Sequence, residues 1–313
     1  MCVAVLNSYD CLLGCVNASV LKMEDVITTM KQRFRAGDIV AKLVYINVGV
    51  FVLIRFVSVL LTLFNADGGQ LLELLQMPSL PEGLLYRPWT VFTYMFAHYD
   101  FLHILFNMLW LYWFGRLFLL FFNERQLGGL YVLGGMAGAF LFMAAYNVFP
   151  YFRTMAGNSF LMGASASVTA IVFAVSFYRK DYEINLLLIG RVKLIYLALF
   201  TFVLDFLAIT SDNAGGHIAH IGGALLGIWF ASRFDQGKDI TSPVNRLIDC
   251  LVNLGKRKPK MYVSHKRAED YEYNARKHTE EQDLNAILDK LKRSGYESLS
   301  SDEKKKLFDA GKK

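Results

Sequence analysis

Long apolar runs, separated by short polar stretches, occupy residues 43–234, and polar, charged sequence flanks them on both sides. The runs at 43–64 and 102–122 are long enough to cross a hydrocarbon core as helices, for which about 20 apolar residues suffice. Further runs at 129–146, 163–178, 192–209 and 217–234 carry the same apolar character. The pattern predicts an all-α polytopic membrane protein with six transmembrane helices and a small cytosolic helical tail. Between the first two runs, Leu71-Leu72-Glu73-Leu74-Leu75 is too short to span and reads as a helix lying at the headgroup level.

Beyond residue 234 the period persists but the apolar stripe narrows. Ser242-Pro243 reads as N-cap and first helical residue. Val244, Leu247, Ile248 and Leu251 then recur at helical spacing, which predicts an amphipathic helix on the inner membrane surface. Residues 262–282 read as a polar linker. Leu284, Ile287, Leu288 and Leu291 predict a helix stopped at Gly295, and Ser300-x-x-Glu303 is a capping-box pattern opening a second one through Leu307 and Phe308. The chain thus divides into a cytosolic leader (1–42), a membrane domain (43–234), an amphipathic helix with linker (235–282) and a helical hairpin (283–313).

Composition agrees with this division. Of 313 residues, 54% are hydrophobic and 19% charged, a balance that excludes an ordinary soluble domain of this size. The net charge of +6 is concentrated at the ends. Lys256-Arg257-Lys258-Pro259-Lys260, beside a membrane domain, points to anionic lipid as the partner rather than nucleic acid. Basic residues also orient the spans. Lys31, Arg33, Arg35 and Lys42 precede the first, Arg125 separates the second and third, and Arg179, Lys180, Arg191 and Lys193 separate the fourth and fifth. Arg233 and Lys238 follow the last, whereas the alternate loops hold only Arg87 and Arg153. By the positive-inside rule both termini are expected in the cytoplasm. Residues 1–21 lack a basic start and contain Asp10, so they make a poor signal peptide, and Met23-Glu24-Asp25-Val26 reads as an alternative beginning. Cys2, Cys11, Cys15 and Cys250 form neither a disulfide framework nor a metal-ligand spacing.

Several polar residues lie inside the apolar runs, where they are costly. Arg55 in the first span either faces the bundle or snorkels to an interface. Ser165, in Gly163-Ala164-Ser165-Ala166-Ser167, opens the fourth span, where backbone N–H groups lack helical acceptors. His220, in Ala219-His220-Ile221-Gly222-Gly223, lies in the sixth, and Gly223 and Gly227 on its face allow close helix contact. Serine with histidine is a minimum kit for nucleophilic acyl chemistry, since imidazole accepts the hydroxyl proton near neutral pH. His103 and Asn107 are four apart on one helix face and would offer two donors to one oxyanion. The plainer readings remain open: His103 and Asn107 as interhelical glue, Ser165 as a small packing residue, His220 as a relay or carbonyl-bound histidine. Asp205 in the fifth span reads as a helix–helix hydrogen bond, and His217 as a residue at the water interface.

Taken together, His103-x-x-x-Asn107, Gly163-x-Ser165 and Ala219-His220-x-Gly-Gly with Gly227 beyond resemble the rhomboid family of intramembrane serine proteases, bacterial type. Arg87-Pro88-Trp89-Thr90 is similar to an arginine–tryptophan element in that family's first outer loop, and His98 matches a histidine often found there. The resemblance spans residues 43–234. It implies a six-helix bundle with a Ser165–His220 dyad rather than a triad, Asp205 standing outside it. His103, Asn107 and the Ser165 N–H would hold the oxyanion. It further implies single-span transmembrane substrates cut near the outer membrane face, a gate between spans two and five, no metal or cofactor, and residence in a bacterial inner membrane. Thr169 departs from the pattern: some members carry an aromatic there, stacked on the histidine, so His220 must be oriented otherwise. The hairpin resembles a C-terminal module of some bacterial members. A non-catalytic rhomboid-like protein that escorts membrane segments is the alternative. A proton-coupled transporter using His103, His220 and Asp205 would call for internal repeats, which the sequence lacks.

Overall fold

The computed structural model of the protein describes residues 34, 37–186, 190–253 and 267–311. The leader up to residue 33, three of the cysteines and the basic cluster at 256–260 lie outside them. The chain forms two compact units, Met1–Leu254 and Gly255–Lys313.

Helix α1 (Ile39–Leu63) starts where Asp38 accepts the Ala41 N–H, an N-cap in place of a missing helical acceptor. The first outer loop follows, with α2 (Gln70–Leu75), strand β1 (Met77–Pro78), α3 (Pro81–Tyr86) and α4 (Thr90–Thr93). Then come α5 (Phe101–Phe118), capped by Asp100, and α6 (Glu124–Val148), opened by a capping box of Asn123 and Gln126. Short α7 (Pro150–Arg153) and strand β2 (Phe160–Leu161) lead to α8 (Ser165–Tyr178). A ribbon of β3 (Glu183–Leu186) and β4 (Gly190–Lys193) precedes α9 (Leu194–Leu207). Helix α10 (Ala214–Asp235) and amphipathic α11 (Ser242–Asn253) complete the unit.

Helices α1, α5, α6 and α10 are long and apolar enough to cross a membrane, whereas α8 and α9, at 14 residues each, are not by length alone. The expectation of an all-helical chain needs a small amendment. Two antiparallel ribbons occur, β1 with β2 and β3 with β4. The second replaces the first residues expected of the fifth span, because Gly190 (φ +86°) turns the chain and Lys193 pairs with Asp181 at 2.8 Å. Their side chains are largely exposed, so this pair contributes little to stability.

Helix α8 lies at the centre of the bundle, and its residues from Ala166 to Ser176, Thr169 apart, are buried. It is gripped between α6 and α10 because glycines remove the side chains that would hold these backbones apart. A Cβ on Gly223 would lie 2.1 Å from the carbonyl oxygen of Ala166, and one on Gly227 2.3 Å from that of Ala170. On α6, a Cβ on Gly138 would meet the Ala166 methyl at 2.6 Å. Polar ties complete the packing: fully buried Asn47 on α1 donates to the Tyr131 hydroxyl at 3.1 Å, and Tyr131 donates to the Met95 carbonyl at 3.1 Å. Arg55 lies on the exposed side of α1, away from the bundle, which discards the inward reading.

In the second unit, α12 (Arg267–Ser294) runs through residues expected to be a linker. From 267 to 294 there is neither proline nor glycine, and Glu, Lys, Arg and Ala favour helix even without an apolar stripe. Gly295 (φ +78°) stops it. Ser300 and Glu303 form the anticipated capping box of α13 (Ser301–Ala310). Ion pairs Lys290–Glu303 (2.9 Å) and Lys306–Asp283 (3.1 Å) tie the two helices together.

Substituting Gly223→Val should lower thermal stability in detergent micelles by the upper end of the overpacking range, about 3 kcal/mol, or prevent assembly, because backbone is the obstacle. Gly49→Ala, with nothing within 4 Å of the added carbon, should leave the melting temperature unchanged or slightly raised.

Candidate active site

The approach to Ser165 is built from backbone. Gly163 takes φ +111°, a conformation other residues rarely adopt, and its N–H donates to the Tyr94 carbonyl at 2.9 Å. A Cβ there would lie 2.8 Å from the His103 ring and 3.9 Å from Ser165 Oγ, so histidine and serine border the same small space. The next N–H, that of Ala164, donates to His98 Nε2 at 3.4 Å, while His98 Nδ1 donates to the Phe96 carbonyl at 3.3 Å. This pair of bonds requires a neutral ring protonated at Nδ1. Burial, with the neighbouring His103 adding to it, pulls the His98 pKa down to about 4. With Ala164 as N-cap, Ser165 is the first residue of α8, and its N–H has no acceptor within the helix.

Helix α5 brings its two candidates to the same region. Asp100 accepts the His103 N–H at 2.8 Å and so fixes the start of the helix. Asn107 is buried and donates one amide hydrogen to the His103 carbonyl at 2.9 Å, leaving its second hydrogen for another acceptor. The His103 ring stands edge-on to His98, with centroids 5.1 Å apart.

Helix α10 supplies His220, and the glycine contacts with α8 place it beside the serine. Ser165, Asn107, Thr169, Asp205, His217 and His220 share the lining of one cavity of about 380 Å³. Sequence reasoning named Ser165, Asn107 and His220, and the fold brings them together. His103 does not line the cavity; it borders it through Gly163. Among the described residues no hydrogen bond joins Ser165 to His220. Instead His220 Nδ1 lies 2.8 Å from Asp205 Oδ1, and His217 Nδ1 lies 2.8 Å from the same oxygen. Asp205 does make the anticipated bond between helices, and its partner is the candidate base itself, so it lines the cavity beside the expected dyad. His217, expected at the water interface, is partly buried by the same contact. The signal was available: Asp205 ends one helix and His217 and His220 begin the next, so a hairpin places them on facing turns. Thr169 spends its hydroxyl on the Ser165 carbonyl at 2.8 Å.

A serine hydroxyl, a histidine with an oriented ring and a nearby amide donor sharing one cavity are the groups that acyl transfer can use. Comparison with known proteins agrees with the fold. The rhomboid domain family matches residues 86–234. Residues 86–234 are a rhomboid domain. With its apolar helices, the chain is an integral membrane protein of predominantly helical fold. It is also similar to a RHOMBOID-like protein 12, mitochondrial, of Arabidopsis thaliana, with 27% identity over 210 residues. That alignment covers 64% of this chain and 60% of the relative, so the chain spans about three-fifths of the relative's length. Residues 269–313 match a family of unknown function, DUF6576.

The matched region begins at the residue before Arg87, and the arginine–tryptophan element is a clamp. Arg87 donates to the Glu73 carbonyl (2.6 Å), Trp89 Nε1 to the Leu74 carbonyl (2.8 Å) and Thr93 to the Leu75 carbonyl (3.0 Å). These are the last carbonyls of α2, which have no helical donors of their own, and a cation suits that end of a helix. Helix α1 lies ahead of the matched region.

Because His98 is neutral when folded and titrates near 6.5 when unfolded, the unfolded state binds the extra proton first. The rhomboid domain should therefore lose stability as pH falls from about 7 toward 4, and the loss should be complete only near the folded value. Thermal melts across that range should show a shallower slope for His98→Gln than for the unmodified protein, with a lower starting stability.

Proposed function

We propose that this rhomboid domain is an intramembrane serine endopeptidase acting on single-span transmembrane proteins. The observation that carries the reading is the common cavity of Ser165, Asn107 and His220, with His220 held at Nδ1 and its Nε2 left to accept a proton. Ser165 Oγ attacks the scissile carbonyl carbon while its proton passes to His220 Nε2. The negative charge on the former carbonyl oxygen is held by the free amide hydrogen of Asn107, the His103 ring and the Ser165 N–H. Collapse breaks the C–N bond, and His220 returns the proton to the leaving amine. Water then repeats the sequence on the acyl-serine. Attack requires the serine and histidine side chains to close on one another, a tightening common when substrate binds.

Depth favours a substrate inside the membrane. At about 1.5 Å per residue α8 is about 21 Å long, roughly 9 Å short of a 30 Å hydrocarbon core. With Arg179 and Lys180 anchoring its C-terminal end at the cytoplasmic surface, Ser165 lies below the opposite face. A transmembrane helix hides its carbonyls in its own hydrogen bonds, so a substrate must unwind locally, and small or helix-weakening residues near the cut favour that. The cavity lies between α5 and α9, which suits entry from the side. The chemistry uses no metal or cofactor, and partners are membrane segments and lipid rather than nucleic acid. The spread of basic residues supports six spans with both termini cytoplasmic. A bacterial inner membrane is the home proposed with them.

A second reading is a non-catalytic rhomboid-like protein that holds membrane segments, and the absent Ser165–His220 bond favours it. The test is cleavage of a generic transmembrane substrate by purified protein in bilayers. Activity is expected, and Ser165→Ala or His220→Ala should each abolish it without unfolding the protein. Asn107→Ala should lower turnover roughly 10-fold or more, as loss of an oxyanion donor does. Cleavage that survives Ser165→Ala would remove the nucleophile, and binding without cleavage by the unmodified protein would favour the second reading.

A further inference from the structure

Resting on the protease reading, we infer that Asp205 is a positioning residue that holds His220 as its Nδ1–H tautomer, with help from His217, and so completes a carboxylate–histidine–serine line. A lone imidazole on a helix can rotate about its side-chain bonds and carry its proton on either nitrogen. To take a proton from Ser165 it must present the Nε2 lone pair, which requires the proton at Nδ1. Among the described residues, the hydrogen-bond partner of His220 is Asp205 Oδ1, at 2.8 Å. A carboxylate accepts and does not donate when ionised, so this contact selects the Nδ1–H tautomer. It also fixes the ring plane, a task no aromatic side chain at position 169 performs here, since Thr169 is bonded to its own helix.

His217 deepens the argument. It lies on the same helix one turn before His220, and its Nδ1 bonds the same oxygen at 2.8 Å. The oxygen thus accepts from two directions, and the Asp205 side chain, mostly buried, is held against rotation. The carboxylate comes from α9, beside the cavity, so it also ties this helix to α10.

The same three side chains invite comparison with a metal site, since their donor atoms all lie within 4.8 Å of one another. Distances decide between the readings. Ligands about 2.0–2.1 Å from a tetrahedral zinc ion stand about 3.3 Å apart. The observed 2.8 Å from each nitrogen to oxygen is hydrogen-bond length.

The experiment pairs kinetics with a signal that does not depend on cleavage. In the full-length protein in bilayers, ¹⁵N magnetic resonance of labelled histidine, assigned by loss of signal in His220→Gln, should show His220 protonated at Nδ1 and bare at Nε2 at neutral pH. Asp205→Ala should turn this into a mixture of tautomers. With a transmembrane substrate, Asp205→Ala should lower kcat by about 10- to 100-fold, within the range of general-base contributions, and leave KM within about two-fold. Asp205→Asn keeps an acceptor for both rings and should retain intermediate activity with the Nδ1–H signal preserved; it carries the test should the alanine variant not fold. A His220 ring protonated at Nε2 in the unmodified protein, or full kcat in Asp205→Ala, would overturn the inference. So would inhibition by one equivalent of zinc that disappears in Asp205→Asn, which would assign the cluster to a metal. Absence of cleavage by the unmodified protein, with the Nδ1–H signal present and lost in Asp205→Ala, would defeat the protease reading while leaving the positioning role in place.

Discussion

The close approach of three helix backbones is the constraint on which the site depends. The backbone of helix α8 is approached closely from two sides, because Gly223 and Gly227 on α10 press against its carbonyls and Gly138 on α6 meets Ala166. In a membrane, where lipid tails offer no hydrophobic reward for helix association, such contact draws on dispersion between well-fitted surfaces. The consequence reaches the cavity. Gly223 is three residues from His220, and Ala166 follows Ser165, so the contact that packs the bundle also brings His220 and Ser165 to one cavity.

A second set of interactions aims the groups that packing has gathered. The turn before α8 is held by backbone bonds to Tyr94 and by the neutral His98, and the open conformation of Gly163 lets the His103 ring come close. On the other side Asp205 binds the two histidines of α10. Polar groups in the bundle are thus spent largely on orientation, consistent with the cost of placing them there. The outer loop is organised by the same economy: the Arg87–Trp89 element satisfies the free carbonyls of α2, and β1 pairs with β2 just ahead of the serine turn.

The two matched regions fall in different compact units. The rhomboid match lies within the first unit, and residues 269–313, matching a family of unknown function, lie within the second. The second unit's helices carry few apolar side chains, Ile287 and Leu299 being its buried ones among the described residues. They are joined by Lys290–Glu303 and Lys306–Asp283, pairs that contribute modestly in water.

Much of this was legible in the residues alone. Apolar run length announced the helices, Ser300 with Glu303 announced a cap, and the glycines around His220 announced a close contact with a neighbouring helix, because each signal is local and repeats with the helical period. The chain could not announce that 267–282 continues a helix, since charged helix formers without a stripe look the same as a linker. Nor could it show which way Arg55 or Asp205 turns. Those facts depend on the rotation and crossing of whole helices, which is set by packing across the bundle. By itself the sequence determined which side chains were available for chemistry and which faces would touch. Only the tertiary structure decided that His220 meets a carboxylate from the neighbouring helix, because that meeting depends on how α9 and α10 fold back on each other through the short turn between them.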